Sequence, residues 1–286
     1  MEPPQRPDLL EETIDGMPED DDLNFPMLAL DLLEVHGDAL TTDDVALAWL
    51  ANLPAGRVFT AERAAYRNLL DARPVPQTAT HHNPFREWIG ALIRTDAFGW
   101  AHPGDPLTAA RLAWTDARLS HTRNGLYGAM WAAALCSASV VADDVRAVLD
   151  AADGVVPPGS RLAAAVALGR ELGDSGRPVT DALDVLHAEL GRHHWVHTLN
   201  NAALIAFALA GVAPVAPTWG AASRSRSPAG GTPTRPARPW GRWSAACAAP
   251  PRSPRSGLSP CGAGSPRRCP AGRRVTSRTW RGGPAR

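Results

Sequence analysis

The run Pro18-Glu19-Asp20-Asp21-Asp22-Leu23-Asn24-Phe25 places four carboxylates side by side. Adjacent carboxylates repel unless something positive lies between them. A hard divalent cation such as Mg2+ or Ca2+ serves well, because such ions prefer carboxylate oxygen. The same run also suits a solvated helix start, where acids complement the macrodipole. Spacing alone leaves both readings open. Asp43 and Asp44 form a second acidic pair, but Thr42 before them reads as an N-cap with two acids in its first turn. His193 and His197 are four apart, the spacing of one helical face. Zinc needs a third ligand and HExxH is absent, so these histidines read as structural or substrate-facing. His81 and His82 precede Asn83-Pro84 in a polar stretch and read as solvated. There is no P-loop, GxGxxG or GxSxG, and Ser120-His121 has no acid at triad spacing.

The elements that must position these groups read as helices. Phe25, Leu28, Ala29 and Leu32 follow the i, i+3, i+4, i+7 rule, and Gly37 follows as a stop. Pro26 is best tolerated in a first turn, which places the start near Asn24. Thr42 and Thr60 are expected to cap helices ending near Leu53 and Leu70. Pro84 and Pro106 suit the first turns of two more, ending near Ile93 and Leu119. The weakly polar run from Gly125 to Ala142 approaches membrane-spanning length. Its Ala, Ser and Gly content reads instead as a buried helix packed through small residues. Further helices are expected over 143–151, 160–172, 179–192 and 199–210. Alternating Val, Ile and Thr are nearly absent, so the fold class is all-α, a compact helical bundle.

Composition divides the chain into 1–18, irregular and acid- and Pro-rich; 19–212, helical; and 213–286. Net charge is zero over 286 residues, yet residues 215–286 hold 14 Arg and no Asp or Glu. That tail has no Ile, Phe or Met and is rich in Pro, Gly and Ser. It cannot bury enough apolar area to offset chain entropy, so disorder is expected. The absence of Lys points to a GC-rich gene. Four Cys are too few for a disulfide scaffold, and the opening Met1-Glu2-Pro3-Pro4 is no basic-then-apolar leader. A soluble, cytoplasmic, non-membrane protein is expected.

Several stretches in sequence order resemble the ADP-ribosylglycohydrolase family. They are Gly16-Met17-Pro18-Glu19-Asp20-Asp21-Asp22, the stretch from Asn83-Pro84-Phe85-Arg86-Glu87-Trp88 to Asp96, Pro103-Gly104-Asp105-Pro106, the stretch from Ala113-Trp114 to Tyr127-Gly128, and Val196-His197-Thr198-Leu199-Asn200-Asn201-Ala202. The resemblance spans about residues 15–210. It implies a single all-α domain with two Mg2+ ions at the mouth of a cleft. The implied reaction is hydrolysis of the glycosidic bond joining ADP-ribose to a protein side chain or small acceptor, through an oxocarbenium-like transition state. ADP-ribosylated proteins or small ADP-ribose derivatives are then the partners; membranes and nucleic acid are not. By the resemblance Asp20, Asp21 and Asp22 match the first metal motif, with Asp21 and Asp22 the better-placed pair for metal and catalysis. Gly90, Ala91 and Arg94 match the loop that lies along ADP-ribose. His121 matches the position lining the substrate ribose, and Asn200 and Asn201 the segment leading to the second metal motif.

Two family parts are not found, so the bundle is expected to be truncated at both ends. The first helix, with its Gly-Asp motif, is absent. The second metal motif, Gly-Gly-x-Asp-x-Asp followed by Ser or Thr, is replaced by Gly230-Gly231-Thr232-Pro233-Thr234-Arg235-Pro236-Ala237. Reading each codon of residues 229–243 from its third base permits Gly-Gly-Trp-Asp-Thr-Asp-Ser-Ala-Gly-Ala-Thr-Val-Gly-Ala-Val. That is the missing motif. The tail is therefore expected to be an out-of-frame translation, and the chain an impaired hydrolase holding at most one loosely bound Mg2+. Two alternatives are a non-catalytic ADP-ribose-binding module and, third, nucleic-acid binding by the Arg- and Trp-containing tail.

Overall fold

The computed structural model describes residues 20–212. The irregular segment 1–18, the tail's disorder, its shifted frame and its nucleic-acid reading all lie outside the described residues. Eleven α-helices run through them: α1 Asp21–His36, α2 Thr42–Asn52, α3 Thr60–Leu70, α4 Gln77–Thr80, α5 Asp96–Trp100, α6 Pro106–Ala117, α7 Asn124–Ser139, α8 Val145–Asp153, α9 Arg161–Asp174, α10 Val179–Leu190 and α11 Thr198–Val212. Among the described residues there is no strand, only an isolated bridge between Trp88 and His197. The all-α class is borne out.

Helix starts depart from the sequence reading by a residue or more. α1 begins at Asp21, capped by Asp20, whose carboxylate accepts from the Leu23 N–H. Pro26 thus falls in the second turn, where it cannot give the hydrogen bond that residue 26 would otherwise donate to the carbonyl four residues back. α2 is capped by Thr41 rather than Thr42, because Thr41 and Asp44 form a reciprocal capping box. Thr42 instead donates its hydroxyl to the Thr115 carbonyl, tying α2 to α6. Thr60 does not cap α3; it is the first helical residue, at φ +39°.

The expected helix over 84–93 does not form. Its backbone groups have long-range partners: Thr122 N–H donates to the Arg86 carbonyl, Thr198 N–H to Glu87, and Ile89 N–H to the Val196 carbonyl. With the Arg86 and Glu87 carbonyls and the Ile89 N–H so engaged, the segment cannot build an i→i−4 ladder and keeps a single such bond, from the Ile93 N–H to the Ile89 carbonyl. It runs as turns into a short 3-10 turn at Leu92–Arg94, then the single-turn α5, neither of which the periodicity revealed.

Two apolar cores share α7. One gathers α1, α2, α3, α5 and α6 around Phe25, Leu32, Trp49, Phe98 and Leu112. The other joins α8 to α11 around Trp131, Leu149, Leu162, Leu186 and Leu209. α7 supplies Ala133 to the first and Trp131, Ala134 and Leu135 to the second, so the small-residue run is a buried helix as expected. α9 lies unusually close to α11. A Cβ on Gly169 would stand 2.2 Å from the Ala203 carbonyl oxygen, and one on Gly173 2.6 Å from that of Phe207. Hydrogen at those positions is what lets the backbones meet. Among the described residues no helix is long and apolar enough to cross a membrane.

Candidate functional site

The centre of the site is a buried guanidinium. Arg94, 1 % exposed, donates through Nε to Asp116 Oδ2 at 2.8 Å, through Nη1 to Glu62 Oε1 at 2.5 Å, and through Nη2 to Ser120 Oγ at 3.0 Å. Its remaining faces lie over Phe25 and Trp49, 4.8 and 5.0 Å from the ring centroids. A planar, permanently charged fork suits two carboxylates and a hydroxyl at once, which an ammonium would not. Each of the three guanidinium nitrogens of Arg94 therefore faces a protein group from α3, α6 or the segment after it.

Ser120 Oγ lies 2.8 Å from His121 Nδ1, and His121 Nε2 is 3.9 Å from Glu62 Oε1. His121 is 1 % exposed. Burial, and then the Arg94 charge, hold its pKa well below the ordinary value, so the ring is neutral. Glu62 is pushed up to about 7, first by burial, with Arg94 opposing and the Asp21 charge adding to the rise. Gly90 closes over this carboxylate: a Cβ there would stand 2.2 Å from Glu62 Oε1. Ala91 is fully buried against Ala117 and Ala129.

Backbone geometry brings these pieces together. Thr60, His82 and Arg123 carry φ of +39°, +44° and +49°, a region that L side chains rarely adopt. They stand next to Glu62, Asn83 and His121 in the chain. Asn83 Nδ2 donates to the Ala61 carbonyl at 3.3 Å and the Ser120 carbonyl at 2.9 Å, fastening the segment that carries Glu62 to the one that carries His121. Strained turns of this kind persist where surrounding bonds over-determine them.

The acidic run sits at the head of α1. Asp20 is exposed and spent on capping. Asp21 is half-buried; burial, followed by the Asp20 charge among the raising influences, moves its pKa up. Asp22 is exposed, and its charge raises Asp96. Asp96 opens α5, is 6 % exposed, and burial pushes it up to about 6. Its Oδ1 is buried without a hydrogen-bond partner. An orphaned carboxylate oxygen behind Asp22 is what a cation position would leave. Even so, among the described residues no three His, Cys, Asp or Glu side chains gather closely enough to hold a metal ion. The described acids do not by themselves fit a bound Mg2+. Asp43 and Asp44, the second acidic pair, face α2: Asp44 is held below its ordinary value by its hydrogen bonds to Thr41.

Asn200 and Asn201 lie on the other side of the Trp88 segment. Asn201 Nδ2 donates to the carbonyls of His197 at 2.7 Å and Trp195 at 2.9 Å; Asn200 Nδ2 donates to that of His194 at 3.0 Å. Both brace the turn over 191–197. That turn, not a helix, carries His193 and His197, whose rings stack at 4.6 Å because α10 ends at Leu190. It docks on Trp88 through His194, stacked at 4.3 Å. His81 and His82 meet edge to face in an exposed turn. Beside this junction lies a cleft of about 420 Å³ lined by Glu87, Arg123, Asn124, Tyr127, Ser160 and Arg161.

The structure thus brings Gly90, Arg94 and His121 together around Glu62, with Asp21 electrostatically coupled to that same carboxylate. Asn200 and Asn201 spend their amide donors elsewhere, on the carbonyls of the 191–197 turn. Sequence reading missed Glu62, Asn83, Asp96 and Asp116. Glu62 looked like an ordinary first-turn acid of α3, and nothing in its spacing announced a partner 32 residues later.

Motifs in order along a helical chain, and this buried network beneath one of them, agree with one further observation. The family model for ADP-ribosylglycohydrolases matches residues 4–260. The chain belongs to the ADP-ribosylglycohydrolase family. The match is wider than the motif-bearing stretch of 15–210. No curated protein and no solved structure matches the chain. ADP-ribosylglycohydrolase membership makes the chain a hydrolase by lineage.

Proposed function

We propose that this chain is an ADP-ribosylglycohydrolase whose ligand-binding framework is built and whose metal-binding framework is half supplied. Its substrates are ADP-ribosylated proteins or small ADP-ribose derivatives. Its lineage uses Mg2+; this chain holds at most one such ion, loosely, and its hydrolysis is correspondingly impaired. The observation that carries the reading is the distribution of acids. Asp21 acts on Glu62 and Asp22 on Asp96 without three of these acids gathering closely enough to hold an ion by themselves, and the sequence contains no Asp or Glu after Glu189. Hard-cation affinity follows the number and charge of oxygen ligands, so half a set binds weakly.

The proposal includes the frame of the gene. Residues after about 211–217 are read as an out-of-frame translation, since the shifted frame over 229–243 permits the Asp-x-Asp motif. The gene across codons 205–245 decides this directly; a shifted frame without Asp-x-Asp there refutes it. The functional test compares this chain with one recoded into the shifted frame, using an ADP-ribosylated substrate and Mg2+. The recoded chain is expected to turn over at least about 100-fold faster, the scale at which a lost metal-site contribution shows. Family-typical rates from the present chain would overturn the reading.

A second reading, a non-catalytic ADP-ribose-binding module, is favoured by one observation. The Arg94–Ser120–His121 network is complete without any metal ligand. It is told apart by ADP-ribose binding with and without EDTA. The binding module gives the same affinity in both.

A further inference from the structure

We infer that Arg94 and Ser120 are positioning residues that fix His121 as the neutral imidazole bearing its proton on Nε2. The inference deepens the ADP-ribose reading above, on which its ligand part rests. It assigns Arg94 to the holding of His121 instead of to contact with ligand.

The argument is one of donors and acceptors. Arg94 has no acceptor, so its Nη2–H must donate to Ser120 Oγ at 3.0 Å. The Ser120 hydroxyl proton then needs an acceptor. Ser120 is fully buried, and the atom within reach is His121 Nδ1 at 2.8 Å. Nδ1 must therefore carry a lone pair, and in a neutral ring the proton sits on Nε2. The far side of the ring agrees. Nε2 faces Glu62 Oε1 at 3.9 Å, and a backbone hydrogen bond to Trp88 favours a proton on the ring. The carboxylate, at 3.9 Å, is beyond hydrogen-bond distance, and Nε2 is buried without a well-formed partner. An N–H donor without an acceptor costs free energy. The geometry keeps it so because Arg94 is itself clamped by Glu62 and Asp116, and Ser120 by the Asn83 side chain on its carbonyl. The network thus holds one unfulfilled donor beneath the Gly90 loop, suited to an oxygen acceptor such as a ribose hydroxyl. Setting a histidine's tautomer through the bond made by its other nitrogen is a general device.

The test uses the full chain and the variant S120A, which removes the hydroxyl without adding bulk. Imidazole 15N resonances of His121 at neutral pH report the tautomer, and titration with ADP-ribose reports affinity. The wild-type ring should be neutral with the Nε2–H form in at least about tenfold excess. In S120A the two tautomers should come within about threefold of each other, with ADP-ribose affinity reduced about tenfold. If S120A does not fold, R94K gives the same readouts, since a single ammonium cannot serve Glu62, Asp116 and Ser120 together. A wild-type ring protonated on Nδ1, or a tautomer ratio unchanged in the folded variant, overturns the inference. A wild-type chain that does not bind ADP-ribose refutes the ligand reading alone; the tautomer still decides the positioning.

Discussion

Replacing Glu62 with Gln removes one buried ionisation and keeps the shape of the side chain. Its effect on stability is predicted to depend on pH with a definite sign. In the folded chain Glu62 ionises near 7, against an ordinary 4.5, because burial outweighs the attraction of Arg94 while Asp21 and Asp116 add repulsion. Between those limits the folded chain keeps a proton that the unfolded chain has released. The free energy of unfolding therefore falls as pH rises from about 4.5 to about 7, and the stabilisation is fully present only below that window. A shift of that size corresponds to roughly 3 kcal/mol. Asp96 contributes in the same direction between 3.8 and about 6, and His121, lowered by burial, in the opposite direction below 6.5. Both are present in wild type and E62Q, so the difference between the two isolates Glu62. Urea denaturation at half-unit steps from pH 4.5 to 8 should show E62Q gaining about 3 kcal/mol on wild type across the range. A difference that stays constant within about 0.5 kcal/mol, or one that moves against E62Q as pH rises, refutes the reasoning. It would mean that Arg94 holds Glu62 ionised throughout.

Two further outcomes follow from the same framework. Removing divalent cations with EDTA should leave the melting temperature of this chain within about 1 °C of its value in millimolar Mg2+, since a weakly held ion adds little by mass action; a shift of several degrees would show a well-formed site. Gly169→Ala should cost about 3 kcal/mol, because the new methyl meets the Ala203 carbonyl, a backbone atom that no rotamer change can move. Denaturation showing a loss below about 0.5 kcal/mol would mean that α9 and α11 separate without penalty.

What was legible in the sequence was whatever depended on local pattern. α6, α7, α8, α9, α10 and α11 fall within a few residues of the ranges expected from apolar periodicity and Pro106, and the caps at Asp105, Asp144 and Ser160 fix where three of them begin. The misreadings share one cause. The segment 84–93 has helical apolar spacing, but its backbone is bonded to residues 122, 196 and 198, which no local rule contains. Thr41 and Thr42 are chemically equal as caps; only the reciprocal bond from Asp44 selects the first. Motif resemblance pointed to Arg94 and His121, yet Glu62, Asp116 and Asn83 stayed hidden. Their role is to neutralise and fasten groups 20 to 40 residues away, and a buried ion pair leaves no periodic trace in either partner's neighbourhood.

The electrostatics of the site explain why its acids and its missing half belong to one problem. Asp21, Asp22, Glu62, Asp96 and Asp116 interact in a chain of neighbours in which Arg94 is the shared internal cation. Arg94 reaches Glu62 and Asp116 alone, so the buried Asp96 has no cation beside it and its charge is opposed by burial. Burial moves two of these acids: Glu62 and Asp96 rise to about 7 and 6. A divalent ion seated by Asp21 and Asp22 would drive those protons off, because metal binding and protonation compete for the same lone pairs and the same field. Without a bound ion, Glu62 and Asp96 release their protons near pH 7 and 6, so around neutrality Glu62 is divided between its two forms and Asp96 is largely ionised.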